Sequence, residues 1–178
     1  SRTTVAYGQF SRLSSQFLNL KSSSGKPIAQ LDNELLGGKK FSHQHVEILI
    51  YNSITLNNTI ELFKLRAAIS DDKKIDNRLS DIVCFYYDLF LCMKNSHFYL
   101  KRGKFFVLVT ASRIVHDVKL HTDIIISELA NRIGFKLKNI HYRDIPNKRM
   151  PSKVSATNVK GEVTPTMTAE SIIILEKI

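Results

Sequence analysis

The sequence predicts a mixed α/β fold in which a mostly helical first part precedes a part built from strands and helices. Apolar residues recur at helical spacing through most of residues 1–100, whereas residues 101–178 contain short apolar runs around one helical segment. The 178 residues are 43% hydrophobic and 24% charged, close to the globular average. That length suits one ordinary domain with a buried core.

The first part divides into several helices. Residues 5–20 predict a short amphipathic helix. Residues 43–69 predict one long or two shorter helices, with the Asn57-Asn58 pair as the candidate break. Ser80 is the expected N-cap of a further helix, whose run from Ile82 to Met93 is apolar nearly all round. We expect that helix to be buried on more than one side and to end near residues 94–96.

The second part begins with a strand. The run Phe105 to Val109 follows a turn at Gly103 and is continuously apolar and partly β-branched. Such a run predicts a strand covered on both faces, which is typical of parallel sheets with crossover helices. Thr122 is then the expected cap of a helix, and Gly134 is well placed to end it.

Two further strands complete the pattern. They are expected at Phe135 to Tyr142 and at Ser171 to Leu175. Between them lies a long polar loop, residues 143–169, which holds three of the four prolines. A loop of that length within a compact domain is usually functional or mobile.

The charge indicates a polyanionic partner. Lys plus Arg number 26 against 16 Asp plus Glu, and residues 101–153 alone carry 12 basic and 4 acidic side chains. Nucleic acid is the first candidate and an anionic membrane surface the second. The densest basic run is residues 142–153, where two prolines would hold Lys148 and Arg149 ready for phosphate or a guanine edge. The alternative is an ordinary solvated loop.

Several other kinds of site find little support. Cys84 and Cys92 lie in an apolar stretch without zinc-like or disulfide-like spacing, which favours a reduced, cytoplasmic setting. No histidine pair is joined by a ligand cluster, so no metal is expected. No apolar run approaches the roughly 20 residues that span a bilayer. Because no initiator Met precedes Ser1, we expect the chain to begin partway through a longer gene product.

Three features follow one another in a fixed order between residues 80 and 178. The first is a buried helix followed by Leu100-Lys101-Arg102-Gly103-Lys104 and the strand from Phe105. The second is the helix from Thr122 to Ile133, which enters a strand through Gly134-Phe135. The third is the basic loop Ile145 to Pro151, the step Asn158-x-x-Gly161, and the strand that follows Met167-x-x-Glu170.

Together these features resemble the C-terminal part of a site-specific DNA amino-methyltransferase of restriction–modification type. Such enzymes transfer a methyl group from S-adenosylmethionine to the exocyclic amino group of adenine (N6) or cytosine (N4). The resemblance implies that residues 80–178 form the C-terminal half of a Rossmann-like class I methyltransferase sheet. It implies that residues 1–79 are a helical segment of the DNA cleft or of target recognition, and that DNA is the partner.

The resemblance also implies where DNA would be contacted. The expected DNA-binding residues are Arg143, Asn147, Lys148, Arg149, Lys153, Lys39 and Lys40. No catalytic residue is assigned within this chain, and the chemistry needs no metal.

Two motifs of the family are missing from the sequence. There is no glycine-rich turn of the Phe-x-Gly-x-Gly type for the cofactor, and no (Asp/Ser/Asn)-Pro-Pro-(Tyr/Trp) loop for the target amino group. S-adenosylmethionine would therefore be bound mainly by residues outside this chain. An apolar strand Phe105–Val109 at an open sheet edge would invite pairing, so we expect a second polypeptide, or a missing N-terminal part, to cover it.

Two other functions remain open at this point. A non-catalytic nucleic-acid-binding module, or a degenerate methyltransferase scaffold, would explain the charge and the missing motifs without a companion. Part of an RNA methyltransferase is the other possibility, because the sheet and the cofactor chemistry would be shared.

Overall fold

The computed structural model describes residues 43–70, 75–115, 118–145, 153–154, 164–165 and 168–178. The described helices are α1 (His43–Asn52), α2 (Ile54–Ser70), α3 (Ile75–Tyr99) and α4 (Thr122–Ile133). The described strands are β1 (Phe105–Thr110), β2 (Arg113–Val115), β3 (Val118–Leu120), β4 (Phe135–Asp144), β5 (Lys153–Val154), β6 (Thr164–Pro165) and β7 (Ala169–Lys177). The helix predicted for residues 5–20 lies outside the described residues.

The chain divides into two compact units. One comprises residues 1–47 and 73–89, and the other comprises residues 48–72 and 90–178. The second unit contains all the described strands together with α2 and α4. The division predicted between residues 79 and 80 falls inside α3 and stays a prediction.

The main sheet of the second unit has three strands in the order β1–β7–β4. Both pairings are antiparallel, with Phe105 opposite Glu176 in the first and Phe135 opposite Lys177 in the second. Since β1 and β4 each run antiparallel to the strand between them, they are parallel to each other. All three predicted strands are therefore present, but the described sheet is antiparallel, in contrast to the predicted parallel arrangement. The pairs β2·β3 and β5·β6 are small separate antiparallel ribbons.

The prediction that β1 is covered on both faces is wrong. Phe106 and Leu108 are partly buried, but Phe105, Val107 and Val109 remain 52–57% exposed. Successive side chains of a strand point to opposite faces. One face of β1 is therefore packed and the other is open, because the described helix α4 covers only one side of the sheet.

The core of the second unit lies between the sheet and two helices. Helix α4 packs on β4 and β7, and it also contacts α2. Fully or almost fully buried side chains come from every one of these elements: Leu56, Ile60, Phe63, Ile125, Ile126, Leu129, Phe135, Ile173 and Leu175. The ring of Phe135 stacks on Phe106, with centroids 5.8 Å apart, and meets the ring of His97 edge-on at 4.9 Å.

The break between α1 and α2 falls at Ser53 and not at Asn57-Asn58. Ser53 is 1% exposed, and its hydroxyl accepts a hydrogen bond from the Leu56 N–H at 3.1 Å, as an N-cap does. The hydroxyl also donates to Glu128 of α4 at 2.5 Å. Asparagine in a helix interior costs only a fraction of 1 kcal/mol, about 0.7 at most. A buried cap therefore determines where the helix begins.

Helix α3 is longer than predicted at both ends. It begins at Ile75, so Ser80 lies inside the helix, where its side chain hydrogen-bonds the Cys84 thiol one turn later. It continues to Tyr99 because tertiary contacts hold the last turn, including that of His97 with Phe135. Burial raises the pKa of the Cys84 thiol, which agrees with the expectation that this cysteine is a packed side chain.

Helix α4 has the predicted bounds but a different start. His121 occupies the N-cap position without a side-chain cap, and the Thr122 hydroxyl donates to the Leu120 carbonyl at 3.4 Å. The prediction that Thr122 is the cap is therefore wrong. At the other end Gly134 is confirmed as the C-cap: it has φ 109°, and its N–H points to the carbonyls of Ala130 and Asn131.

Gly134→Ala is expected to destabilise the chain by about 2 kcal/mol. A side chain there is strained by the positive φ, and its Cβ would lie 3.1 Å from Nε2 of His97. Gly103→Ala is the matched control. Gly103 also has a positive φ, +72°, but a Cβ added there would meet no neighbouring side chain or backbone atom within 4 Å. Only the backbone penalty of about 1 kcal/mol is therefore expected. Urea unfolding measures both. Equal losses would show that the His97 contact is irrelevant.

No helix within the described ranges is long and apolar enough to cross a membrane.

Candidate nucleic-acid interface

The carboxyl ends of β1 and β4 lie at the same end of the sheet. Thr110 and Tyr142 both stand opposite Ser171, and Asp144 stands opposite Ala169 at the start of β7. The predicted basic loop leaves the sheet here and returns here, since the Ile145 N–H donates to the Thr168 carbonyl at 2.9 Å. The basic loop is the densest run of cations in the sequence, so this end of the sheet is the candidate site.

Arg143 is the predicted DNA-binding residue that the structure describes most fully. It lies near the carboxyl end of β4, directly opposite Glu170 of β7. Its guanidinium makes a double contact with one carboxylate oxygen of Glu170, with the Nε–Oε1 distance at 2.6 Å. The charge of Arg143 is compensated, so a phosphate would have to compete with Glu170 for this cation.

Tyr142, the residue before Arg143 on β4, makes a contact with α4 that local sequence patterns could not predict. Its hydroxyl donates to Oδ2 of Asp123 at 2.8 Å, although the two residues are 19 positions apart. Asp123 is buried in the first turn of α4, whereas the Tyr142 ring is mostly exposed. The hydroxyl is therefore anchored to α4, while most of the Tyr142 side chain stays exposed at the edge of the candidate site.

Tyr142 is expected to lose its proton at a higher pH than an ordinary tyrosine. The hydrogen bond to Asp123, and then the charge of that carboxylate, raise the pKa of Tyr142 above its usual value. The contact therefore contributes to stability below the ordinary tyrosine pKa and is lost as the pH rises through the elevated one. Absorbance titration of the phenolate measures this pKa. Asp123→Asn should lower it, and an unchanged value would contradict the assignment.

The structure leaves the remaining predicted DNA contacts open. Asn147, Lys148, Arg149, Lys39 and Lys40 lie outside the described residues. Lys153 begins β5, where its backbone pairs with Pro165 of β6. The described residues thus place Arg143, Tyr142 and the two ends of the basic loop at one end of the sheet.

Among the described residues, no glycine with a positive φ lies at the candidate site. Glycines with positive φ in this part of the chain are Gly103 and Gly134, which precede the amino ends of β1 and β4. They therefore lie at the end of the sheet opposite to the candidate site. Across the same residues, no three His, Cys, Asp or Glu side chains are grouped so that they could hold a metal ion.

Comparison with known proteins gives one clear relationship. The chain is 43% identical over 183 aligned residues to the Type II methyltransferase M.MvaI of Kocuria varians. The alignment covers 99% of this chain but 37% of that protein, so the chain spans little more than a third of its relative's length. No protein-family model and no solved structure matches the chain.

Proposed function

We propose, on the premise that this chain is related to the Type II methyltransferases of restriction–modification systems, that it is part of an S-adenosylmethionine-dependent, site-specific DNA methyltransferase. It would act on an exocyclic amino group of adenine or cytosine. The chain's own role is to finish the catalytic sheet, as the C-terminal half of a Rossmann-like fold, and to contribute DNA contacts. The observation that carries this proposal is the 43% identity, which extends over 99% of the chain.

The two outer strands of the sheet are built differently, and this difference supports an additional polypeptide. Strand β4 has exposed lysines at positions 136 and 138 and a register shift between Leu137 and Asn139. Charges and bulges are the usual means by which an edge strand avoids pairing with another chain. Strand β1 reads Phe-Phe-Val-Leu-Val-Thr, with no charge, proline or bulge. Of the two edges, only that of β1 is suited to receive another strand.

The open face of β1 continues onto β7. Val107 stands opposite Ile174, and Val109 stands opposite Ile172, so all four side chains share one face of the sheet. Together with Phe105 they form an apolar surface that is about half exposed on β1. We call the polypeptide that covers this edge and face the companion polypeptide, whether it is joined to this chain or separate from it. It corresponds to the part of the relative that the chain does not span.

The companion polypeptide would also supply the cofactor pocket and the acceptor loop. The chain itself has neither a cofactor-binding glycine turn nor a Pro-Pro loop. The DNA-contacting part of this chain would be the basic loop at the carboxyl ends of β1 and β4. Lys148, Arg149 and Lys153 would contact phosphates or bases there, with Arg143 beside them, and Asn147 would add a polar contact. Lys39 and Lys40 would contribute from the helical segment, residues 1–79.

Replacing Lys148 and Arg149 with alanine is expected to weaken DNA binding and flatten its dependence on salt. Each phosphate contact that is lost should reduce the slope of log K against log salt by about 1. Fluorescence anisotropy with labelled duplex DNA at several salt concentrations gives both quantities. The double variant Lys64→Ala/Lys119→Ala is the matched control, since it removes the same charge from α2 and β3. Equal salt slopes in the loop variant and the control would mean that the loop is only a solvated surface.

A non-catalytic nucleic-acid-binding module is the second candidate, favoured by the absence of both family motifs from the sequence. The residues encoded before Ser1, or a neighbouring gene, distinguish the two. An (Asp/Ser/Asn)-Pro-Pro-(Tyr/Trp) loop there favours the enzyme. If no companion polypeptide exists, the binding module is the better account. The third possibility is that the chain is part of an RNA methyltransferase. Methylation assays with RNA in place of duplex DNA distinguish it from the other two.

A further inference from the structure

A group of exposed cations and rings lies where α3 ends and β1 begins. It consists of Phe98, Tyr99, Lys101, Arg102 and Lys104, and we call it the cation–aromatic patch. Phe98 is 76% exposed and Tyr99 is 82% exposed, and their rings stand nearly perpendicular with centroids 5.0 Å apart. Large aromatic side chains normally lose most of their exposed surface on folding, so two adjacent exposed rings call for an explanation.

The backbone that carries Phe98 and Tyr99 is held in place by contacts on both sides of the two rings. His97, the residue before the two rings, points inward and packs edge-on against Phe135. Nζ of Lys177 donates to the His97 carbonyl at 2.6 Å. The turn that follows is fixed to the same strand: the Gly103 N–H donates to the Lys177 carbonyl at 2.8 Å, and the Lys177 N–H donates to the Lys104 carbonyl at 3.0 Å. The rings and cations therefore project from a fixed backbone.

The patch carries charge of one sign. Residues 94–104 contain four cations and no carboxylate. Among the described residues, Lys101, Arg102 and Lys104 form no ion pair. The nearest carboxylate in the sheet register, Glu176 opposite Phe105, binds Lys138 at 2.9 Å. The three cations are thus available to an anionic ligand.

The patch lies away from the candidate site at the basic loop. It precedes the amino end of β1, whereas Arg143 lies at the carboxyl end of β4, which runs parallel to β1. A strand of six residues is about 20 Å long. The patch and the loop are therefore at opposite ends of the sheet, and one phosphate group cannot reach both.

We propose that the cation–aromatic patch is a second nucleic-acid contact, in which Lys101, Arg102 and Lys104 bind backbone phosphates and Phe98 or Tyr99 stacks on an accessible base. Interfaces with nucleic acid are much more positively charged than those with protein, and lysine is depleted at protein–protein interfaces. Cations beside exposed rings are the arrangement by which proteins hold single strands without reading sequence. The contact goes beyond the proposed function, which uses the loop at the other end of the sheet.

Anisotropy titrations of the full chain with labelled duplex and single-stranded DNA test this proposal. Lys101→Ala/Arg102→Ala/Lys104→Ala should weaken binding to both and reduce the salt slope by up to about 3. Phe98→Ala/Tyr99→Ala should weaken binding to the single strand on the order of tenfold, with a smaller effect on the duplex. The control Lys64→Ala/Arg66→Ala/Lys119→Ala removes three exposed cations elsewhere and should leave most of the salt slope intact. Circular dichroism verifies that all variants are folded.

If the parent chain binds neither DNA at low salt, this proposal fails together with the DNA contacts of the proposed function. If the patch variants match the control, this proposal alone is overturned. It is also overturned if the patch variants bind DNA normally but no longer bind the companion polypeptide, since the patch is then a protein contact. The last two results concern this patch alone and leave the proposed function standing. That function is tested separately, by the variants of Lys148 and Arg149 in the basic loop and by methyl transfer with the parent patch.

Discussion

Glu128→Ala is expected to lower the free energy of unfolding by about 2–4 kcal/mol, because it removes hydrogen bonds to a charged group and leaves a buried hydroxyl unpaired. The carboxylate of Glu128 accepts from the Ser53 hydroxyl at 2.5 Å. It also accepts from the Thr55 hydroxyl at 2.7 Å and from the Thr55 backbone N–H at 3.1 Å. One side chain of α4 therefore fixes the start of α2.

A control variant compares the stability loss of Glu128→Ala with the loss caused by removing an ordinary surface carboxylate. Glu61→Ala removes a carboxylate that is paired with Lys64 at 2.9 Å on the exposed side of α2. Exposed pairs contribute about 0–1 kcal/mol, so this control should hardly move the urea midpoint. Glu128→Gln keeps one acceptor oxygen and should fall between the two. If Glu128→Ala and Glu61→Ala lose the same small amount, Glu128 does not hold the α2 start.

The double variant Val107→Lys/Val109→Lys is expected to abolish assembly with the companion polypeptide. Both side chains lie on the open face of β1. In the chain by itself the two lysines would remain in water, so the free energy of unfolding should change by about 0.5 kcal/mol or less. Beneath a companion polypeptide they would be desolvated without partners, at a cost of several kcal/mol. Methyl transfer by the assembled enzyme should therefore fall by about 1,000-fold or more.

A matched variant places the same charges elsewhere. Ile114→Lys/Ile124→Lys replaces two partly exposed apolar residues, on β2 and α4, that are not on the open face. It should leave both stability and methyl transfer close to the parent values. Pull-down of the companion polypeptide and a methyl-transfer assay measure the two variants side by side. If the β1 variant assembles and works as well as this control, the open face is not an interface.

Local signals predicted the elements whose ends are determined locally. Helix α4 runs from Thr122 to Ile133 as its apolar period and Gly134 indicate, since the left-handed position at the helix end favours glycine. The three sheet strands were likewise found from their apolar runs. The central residues of these strands can be predicted without knowing their partners, because β-branched and apolar runs favour strands whichever strand they pair with.

Features that depend on distant residues could not be predicted in this way. The start of α2 is determined by Glu128, 75 positions beyond Ser53. The antiparallel pairing of β1 depends on β7, which lies at the far end of the chain. The open face of β1 shows the same difficulty, because an apolar run indicates that a strand is to be covered but not by which polypeptide.

Of the candidate site, the position of the basic loop could be predicted from the sequence. The basic loop was placed between the second and third strands, and the structure brings its two ends together at the carboxyl ends of β1 and β4. The contact of Arg143 with Glu170 could not be predicted, since cross-strand partners cannot be read before the register is known. The contact of Tyr142 with Asp123 was missed for the same reason.

Methyl transfer from S-adenosylmethionine to duplex DNA tests the central claim most directly. It is measured for this chain alone, for the companion polypeptide alone, and for the two together. The account predicts activity only with both, on an exocyclic amino group of adenine or cytosine. Full activity of the companion polypeptide without this chain, or no transfer to DNA by the combination, would contradict it.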